Sequence, residues 1–443
     1  NLQTLECIIL CVITQQMIHS PALKRHLGHN RPLQLVVVAS TAAFLAYCSI
    51  YGFRKPFTAA SFDGRELAGI HYKILLVVAQ VTGYALSKFI GIGVIAGLGV
   101  QHRARLLMGV ALFAEIALLG FAVTPYPWNI LWLFVNGLPL GMAWGLVFSY
   151  LEGRRTTDIL ASVLCVNFII SSGISKTTGR WLISSCHVQE EWMPFVAGLI
   201  FLPILAVCVW ILEHIPPPSE EDIKSRSERV IMSKEEQKAL FSRFAPGMIL
   251  LTGIYLVLTV VRDVRDNFAV EIWSDLGFGG QPALLTTAEI PVALACLAGI
   301  GSMAGISRHY RALGIIHIMT IGGALVLAFS TYLFGAGVMS PLWWMITSGS
   351  GLFLPYLLFN GVLFDRLLAT FKETGNVGFL MYIADSTGYL GSAAVLFWKN
   401  FGAEQQSWLE YYQTLCYGSS IIILLLGLAS WFYLRRKYYS ENR

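Results

Sequence analysis

Charge is what this sequence has least of. Only 13% of its 443 residues are Asp, Glu, Lys or Arg, against 56% that are apolar, which leaves too little polar surface for a water-soluble globule. The signatures of soluble catalysis are missing too. There is no Gly-rich phosphate loop ending in Lys-Ser/Thr, no His-Glu-x-x-His and no paired His/Cys cluster. These absences argue against ATP-driven work by this chain alone, against an enzyme, and against a metal or other cofactor. The eight cysteines (Cys7, Cys11, Cys48, Cys165, Cys186, Cys208, Cys296, Cys416) are scattered without metal-ligand spacing, so neither a zinc site nor a disulfide framework is expected. The opening residues lack a basic n-region and a small-residue cleavage site, and the run Cys7 to Ile13 is too short for ~30 Å of hydrocarbon. Residues 1–32 therefore read as an interfacial or disordered cytoplasmic leader.

Long apolar runs are present in number. They fall at about 33–60, 70–98, 106–124, 127–150, 158–182 and 192–213, and again at 246–273, 281–306, 313–337, 341–364, 374–398 and 411–434. Each is long enough to cross a bilayer as a helix. The expected fold is thus all-α integral membrane, with twelve transmembrane helices in two six-helix halves, 33–213 and 246–434. Between them a charged linker, 214–245, opens with Pro216-Pro-Pro-Ser-Glu-Glu-Asp, and a tail follows at 435–443. Most of the 31 Lys and Arg residues fall on one side if the N-terminus is cytoplasmic, among them Lys24, Arg103, Arg154, Arg308, Lys372 and Arg435. Both termini and the linker are then expected in the cytoplasm. The net charge of +5 belongs to those loops and does not call for a nucleic-acid partner. Gly137-x-x-x-Gly141-x-x-x-Gly145, Gly299, Gly301, Gly305, Gly388 and Gly391 mark faces where helices approach closely.

A few polar residues interrupt the apolar runs, and a charge at the middle of a bilayer helix costs roughly 2.5–3.5 kcal/mol or more. Tyr47, Tyr51 and Arg54 lie at i, i+4 and i+7 on the first helix and share a face; Tyr84 and Lys88 lie at i, i+4 on the second. Fixed cations with phenolic donors suit an oxyanion, which arginine grips with two parallel hydrogen bonds. The alternative is that Arg54 and Lys55 snorkel to the outer interface, as Lys176 and Arg180 are expected to do. On the seventh helix Arg262 and Arg265 are interleaved with Asp263, Asp266 and Asn267. Aligning the halves on Arg54-Lys-Pro-Phe and Arg265-Asp-Asn-Phe sets Arg265 opposite Arg54 and Arg262 opposite Tyr51. Asp266 can bond Arg262, leaving one arginine structural and the other free, and the spacing does not say which. Asp385 and Glu289 read first as counter-ions and second as proton carriers; Glu115 fits either role. Six plus six helices with an arginine motif in each half point to two repeats rocking about a midplane site.

At these residues the chain resembles the organophosphate:inorganic phosphate antiporters of the major facilitator superfamily. The likeness rests on Tyr47-x-x-x-Tyr51-x-x-Arg54-Lys55-x-Phe57, Gly83-Tyr84-x-x-Ser87-Lys88-Phe89, Gly141-Met142-x-Trp144 and Gly388-Tyr389-Leu390-Gly391. It implies a major facilitator fold and an anion site in which Arg54 and a seventh-helix arginine hold a phosphate, helped by Tyr47, Tyr51, Tyr84, Lys88 and Trp144, with Tyr389 on the eleventh helix. The sequence departs from that pattern where Phe168 stands at the family's fifth-helix histidine, at Asp385, and in the doubled Arg-Asp pairs of the seventh helix. The loop Gly97-Leu-Gly-Val-Gln-His-Arg-Ala-Arg105 keeps part of the superfamily signature.

The expectation is a monomeric secondary transporter of an organic anion, a phosphorylated or carboxylated sugar-like metabolite, exchanged against phosphate across a bacterial cytoplasmic membrane. The alternatives are a proton-coupled anion symporter using Asp385 or Glu289, and a membrane sensor that keeps the ligand site but signals through a partner.

Overall fold

A computed structural model of the chain describes residues 32–96, 102–151, 157–217, 234–303, 305–373, 377–402 and 406–441. Residues 1–31 of the leader and 218–233 of the central linker lie outside the described residues. Among those described, nine helices are long and apolar enough to cross a membrane. The three remaining runs form helices Tyr72–Ala96, Thr157–Ser184 and Val377–Gly402, of 25, 28 and 26 residues. At 1.5 Å per residue each also exceeds the hydrocarbon thickness. The result is a multi-pass membrane protein of twelve spans, as the hydropathy pattern predicts.

In order, the spans are Pro32–Arg54, Tyr72–Ala96, Arg103–Val123, Ile130–Leu140 with Ala143–Phe148, Thr157–Ser184 and Met193–Glu213 in the first half. The second half has Lys234–Asn267, Leu284–Thr287 with Glu289–Met303, His309–Gly335, Pro341–Leu358 continuing to Thr370, Val377–Gly402 and Trp408–Glu441. Local chemistry sets several of these limits. Pro56 has no N–H to continue the first helix, so the last α-helical bond runs from Lys55 N–H to the Tyr51 carbonyl and the chain tightens into a 3-10 turn, Pro56–Ala59. Pro139 precedes the break in the fourth span, and Pro355 precedes a five-residue π-helical segment, Phe359–Leu363, in the tenth. The seventh span starts at Lys234, well before the apolar run. Glu235 and Glu236 in its first turn suit the positive end of the helix dipole, so residues 234–245 continue the span instead of ending the linker. The exception to the all-helical plan is a hairpin pairing Glu66–Leu67 with Ile70–His71, turned at Ala68 and Gly69, both of positive φ.

Small residues bring helices into backbone contact. A Cβ on Gly83 would strike the Phe134 carbonyl, and one on Gly137 the Gln80 carbonyl, so the second and fourth spans touch main chain to main chain. Gly388 and Gly391 likewise seat the eleventh span on Thr259 and Leu256 of the seventh, and Gly299 accepts Leu354. Gly301 and Gly305 face open space and pack nothing. The packing pairs repeat between halves. In the first, spans 1 and 5, 1 and 6, 2 and 4, 3 and 4, and 3 and 6 pack; in the second, 7 and 11, 7 and 12, 8 and 10, 9 and 10, and 9 and 12 do. The halves meet through the fifth span on the eighth and the second on the eleventh, which are also equivalent pairs. Two copies of one six-helix unit therefore face each other about a pseudo-two-fold axis.

Polar contacts between the halves gather at the far end, opposite the central linker. Lys55 Nζ lies 2.5 Å from Asp266 Oδ2 and 2.8 Å from Asn267 Oδ1. Lys176 Nζ reaches Asp266 Oδ1 at 2.7 Å and its carbonyl at 2.9 Å, and the Ser172 hydroxyl donates to the same carboxylate. Lys73 pairs with Glu271, the Thr177 hydroxyl meets Pro282 O and Thr286 at 3.0 and 2.7 Å, and the Asn400 side chain bridges His71 N–H and Gly69 O of the hairpin. Lys55 and Lys176 thus do not snorkel outward; they are buried on one acid of the opposite half. Removing one partner of a buried pair costs about 3–5 kcal/mol. Asp266→Asn should therefore unlatch this end, and a cysteine placed at half-buried Thr286 should react with a water-soluble thiol reagent at least about tenfold faster, a change of roughly 1.4 kcal/mol. An unchanged rate would mean that the closure is held elsewhere.

Candidate anion-binding site

Between the far-end closure and the linker, both halves present aromatic and cationic side chains to each other. The first helix holds Tyr47, Tyr51 and Arg54 on one face, as their spacing requires, with Tyr47 and Tyr51 edge-on at 5.5 Å. The end of that helix is fixed from behind. Gln80 Nε2 donates to the Arg54 carbonyl at 2.8 Å and to Asn136 Oδ1 at 2.9 Å, while Asn136 Nδ2 donates to the carbonyls of Phe53 and Ala114 at 3.2 and 3.1 Å. These side chains satisfy last-turn carbonyls that a helix leaves open. With its main chain held, Arg54 lays its guanidinium over the Tyr84 ring at 3.8 Å and beside that of Tyr51 at 5.9 Å. The residue is 8% exposed, its Nε has no hydrogen-bond partner, and no carboxylate pairs with it among the described residues.

The second half faces this group with Arg262, whose Nε and Nη2 reach Asp263 Oδ1 at 3.0 and 2.6 Å. Its Nη1 donates to the Tyr356 hydroxyl, and its guanidinium carbon stands 4.4 Å over that ring. Tyr356 stacks on Tyr255 at 5.4 Å, and the Tyr255 hydroxyl donates to Asp385 Oδ1 at 2.9 Å, with the Asn360 amide oxygen 3.2 Å away. The halves touch through rings: Tyr84 on Tyr389 at 5.7 Å, and Phe168 between Tyr47 at 6.1 Å and Tyr356 at 6.4 Å.

Several sequence candidates sit elsewhere. Arg265 turns into its own half, 2% exposed, with Nη1 2.7 Å from Glu289 Oε1 and Nη2 3.1 Å from the Met345 carbonyl. Glu289 is therefore its counter-ion, and the arginine that joins the phenols is Arg262. Asp266 belongs to the far-end clamp and does not bond Arg262. Trp144 stacks on Phe148 at 4.9 Å, and the side chain of Lys88 lies outside the described residues. Tyr255, Tyr356, Asn360 and Phe168 belong to the group without having been singled out as members of it. A signal for Tyr255 was present: Tyr255, Thr259 and Arg262 repeat the i, i+4, i+7 spacing of Tyr47, Tyr51 and Arg54, and that register sets Arg262, not Arg265, opposite Arg54. Asn360 falls in the π-helical segment, which no local pattern announces.

Chemically, the group offers two planar guanidiniums and a ring of phenolic donors around Arg54, a cation without a carboxylate. Such a set can grip an oxyanion from two sides and bury the rest of a ligand against aromatic faces.

The fold is similar to that of two solved transporters. The crystal structure of the nucleoside transporter NupG superposes with a TM-score of 0.60 at 14% identity, covering 89% of this chain and 98% of that one. A D-xylose-proton symporter superposes with a TM-score of 0.58 at 13% identity, covering 90% of this chain and 97% of that one. At such identities the likeness speaks to architecture, and the architecture is the major facilitator fold. No curated protein matches the chain in sequence. A family match spans residues 56–437, so the chain belongs to the family of unknown function DUF5690.

Proposed function

We propose that the chain is a secondary transporter of an organic anion, binding a phosphorylated or carboxylated metabolite between Arg54 of the first half and Arg262 of the second. One observation carries the reading: a buried guanidinium, Arg54, rests on a phenol ring with no carboxylate partner among the described residues, in an aromatic cluster that joins it through Tyr47, Phe168 and Tyr356 to Arg262 of the other half. A desolvated cation left that way is costly unless an anion completes it. The likeness of the fold to a nucleoside transporter and to a D-xylose-proton symporter supports transport as the class of activity. From the positive-inside rule we read the linker and both termini as cytoplasmic, with the clamped far end as the outer one. Exchange against phosphate follows from the same electrostatics. An empty site with an uncompensated Arg54 resists reorientation, and either anion relieves it.

Thermal unfolding of the purified protein with inorganic phosphate, glycerol 3-phosphate, hexose phosphates, sugar acids and dicarboxylates tests the binding step. A true ligand at a hundred times its Kd adds about 2.7 kcal/mol of stability. The shift is expected with phosphate and phosphate esters, and it should vanish in both Arg54→Ala and Arg262→Ala. Arg265→Ala should behave differently: it strands Glu289, lowers stability by about 3–5 kcal/mol and keeps the ligand-induced shift. No shift with any anion, or a full shift in Arg54→Ala, would remove the anion site.

The transport step has its own check in proteoliposomes loaded with phosphate. Arg54→Lys keeps the charge but loses the bidentate fork, and exchange of the ligand found above should fall by about tenfold or more. Wild-type exchange in that variant would leave Arg54 without the role given to it.

A further inference from the structure

The acids within the spans fall into two groups. Asp263 is paired with Arg262, Asp266 with Lys55 and Lys176, Glu271 with Lys73 and Glu289 with Arg265, while Asp385 accepts from the Tyr255 hydroxyl. Glu115 stands apart. It sits near the middle of the third span, is 6% exposed, and neither carboxyl oxygen has a hydrogen-bond partner among the described residues. Its carboxyl lies against the main chain of the sixth span at Gly198, where a Cβ would collide with Oε2.

The second repeat offers a comparison. Where the equivalent ninth and twelfth spans meet, Ile321 lies against Gly427, 19 residues past the start of its helix, whereas Gly198 lies five past the start of the sixth, so the two contacts are at different depths. A side chain against a glycine is found in both interfaces, isoleucine in one and a carboxylic acid in the other. Packing does not require the acid. A carboxylate in a seat built for a hydrocarbon, without a counter-ion, holds a proton in preference to a charge.

We propose that Glu115 is a proton-binding site, neutral in this conformation, whose ionisation separates the third span from the sixth at Gly198. The ionisable groups on the helices packed against the third span are committed elsewhere or uncharged. On the first span these are Arg54, turned onto Tyr84, and Tyr47, Tyr51 and Cys48; on the sixth they are Cys208 and Glu213, the latter bonded to the Tyr150 hydroxyl at 2.6 Å. The described fourth-span helices contribute Asn136 on this side, with its Nδ2 already given to Phe53 and Ala114. Two contacts carry a shift at Glu115 to the first span. The Ala114 carbonyl shares Asn136 with Phe53, and Phe201, one turn beyond Gly198, fills the notch at Gly52, two residues from Arg54. The proton would therefore bias the helix that bears Arg54.

The site can be tested without any substrate, so its failure would be separate from failure of the anion reading. In nanodiscs at neutral pH, dicyclohexylcarbodiimide should modify Glu115 from the lipid phase. The carboxyl O–H adds across one C=N bond, oxygen to carbon and proton to nitrogen, and the O-acylisourea rearranges internally to an N-acylurea, so the whole reagent is retained. Peptide mass spectrometry should find Glu115 modified at least about tenfold more than Asp263, Asp266, Glu271 and Glu289, each of which is engaged in an ion pair. Equal modification of those acids, or an unmodified Glu115, would overturn the proposal. The conformational half uses the Thr286→Cys reporter at the far end. The ratio of its labelling rates at pH 9 and pH 6 should differ by about threefold or more between the native background and Glu115→Gln, in which nothing titrates at this position. Identical ratios would leave a proton site that does not move the helices, contrary to the second part of the proposal. Glu115→Gln should itself fold with a melting temperature close to that of the native protein, since it replaces one neutral group by another of the same shape; a large loss would show that the charged form is the structural one.

Discussion

Desolvation of charge is the constraint on which the rest of this structure depends. An apolar slab admits a cation only if something nearby replaces water, and each buried cation here has found a different replacement. Lys55 and Lys176 share the two oxygens of Asp266, Arg265 has Glu289 and a carbonyl, Arg262 has Asp263 and a phenol, and Arg54, among the described residues, has the rings of Tyr84 and Tyr51 but no carboxylate. The arrangement at Arg54 is the weakest of these, because an ion pair in low dielectric outweighs a ring quadrupole. The far end is consequently closed and the interior incomplete.

Repeat symmetry explains where these groups stand, and its breaking explains what they do. The two six-helix units pack by equivalent pairs, and Tyr47, Tyr51 and Arg54 correspond to Tyr255, Thr259 and Arg262 at identical spacing. By that spacing Arg54 and Arg262 are equivalent residues. Their surroundings differ: Asp263 follows Arg262 directly, whereas Arg54 is followed by Lys55. Arg262 pairs with its neighbouring acid, and Arg54 has no carboxylate partner among the described residues. Tyr51 is matched by Thr259, which lies against Gly388 of the eleventh span, while Tyr356 stands against Arg262 from the tenth and Phe168 packs on Tyr356 from the fifth.

Much of the fold was legible because it is written in runs and spacings. Twelve apolar stretches and the close-packing glycines of the fourth span act locally, and local chemistry is what a sequence displays; Pro56, which ends the first helix, falls inside a run read as reaching residue 60. The cluster of Tyr47, Tyr51, Arg54 and Tyr84 was legible for the same reason, since helical period alone brings its first three members together. Partners far apart in the chain were not. Nothing near Lys176 announces Asp266, and nothing near Arg265 announces Glu289; both pairings depend on how whole helices pack. Which arginine would join the phenols was not legible, because Arg-x-x-Phe and Tyr-x-x-x-x-x-x-Arg give two different registers of the internal repeat. The π-helical turn at Asn360 and the hairpin at Glu66–His71 arise from strain and tertiary contact, which leave only Pro355 and Ala68-Gly69 as traces.

Adjacent residues join the interior to the closure. Arg54 and Lys55 leave the end of one helix in opposite senses, one onto the phenols of the site and the other onto Asp266 of the opposite half. Helical geometry allows this, because successive residues point about 100° apart, and Lys55, the last residue on the helical path before Pro56, therefore leaves the face that Arg54 shares with Tyr47 and Tyr51. The backbone between them is held by Gln80 and by the Asn136 bond to Phe53, so neither side chain can move far without the other sensing it. An anion against Arg54 would sit one residue from Lys55, where at an effective dielectric near 20 a unit charge within several ångströms is felt at the level of a few kcal/mol. That is comparable to what one buried ion pair contributes to holding two helix ends together. A helix terminus carrying both cations is therefore the shortest physical route by which filling the site could be communicated to the clamp.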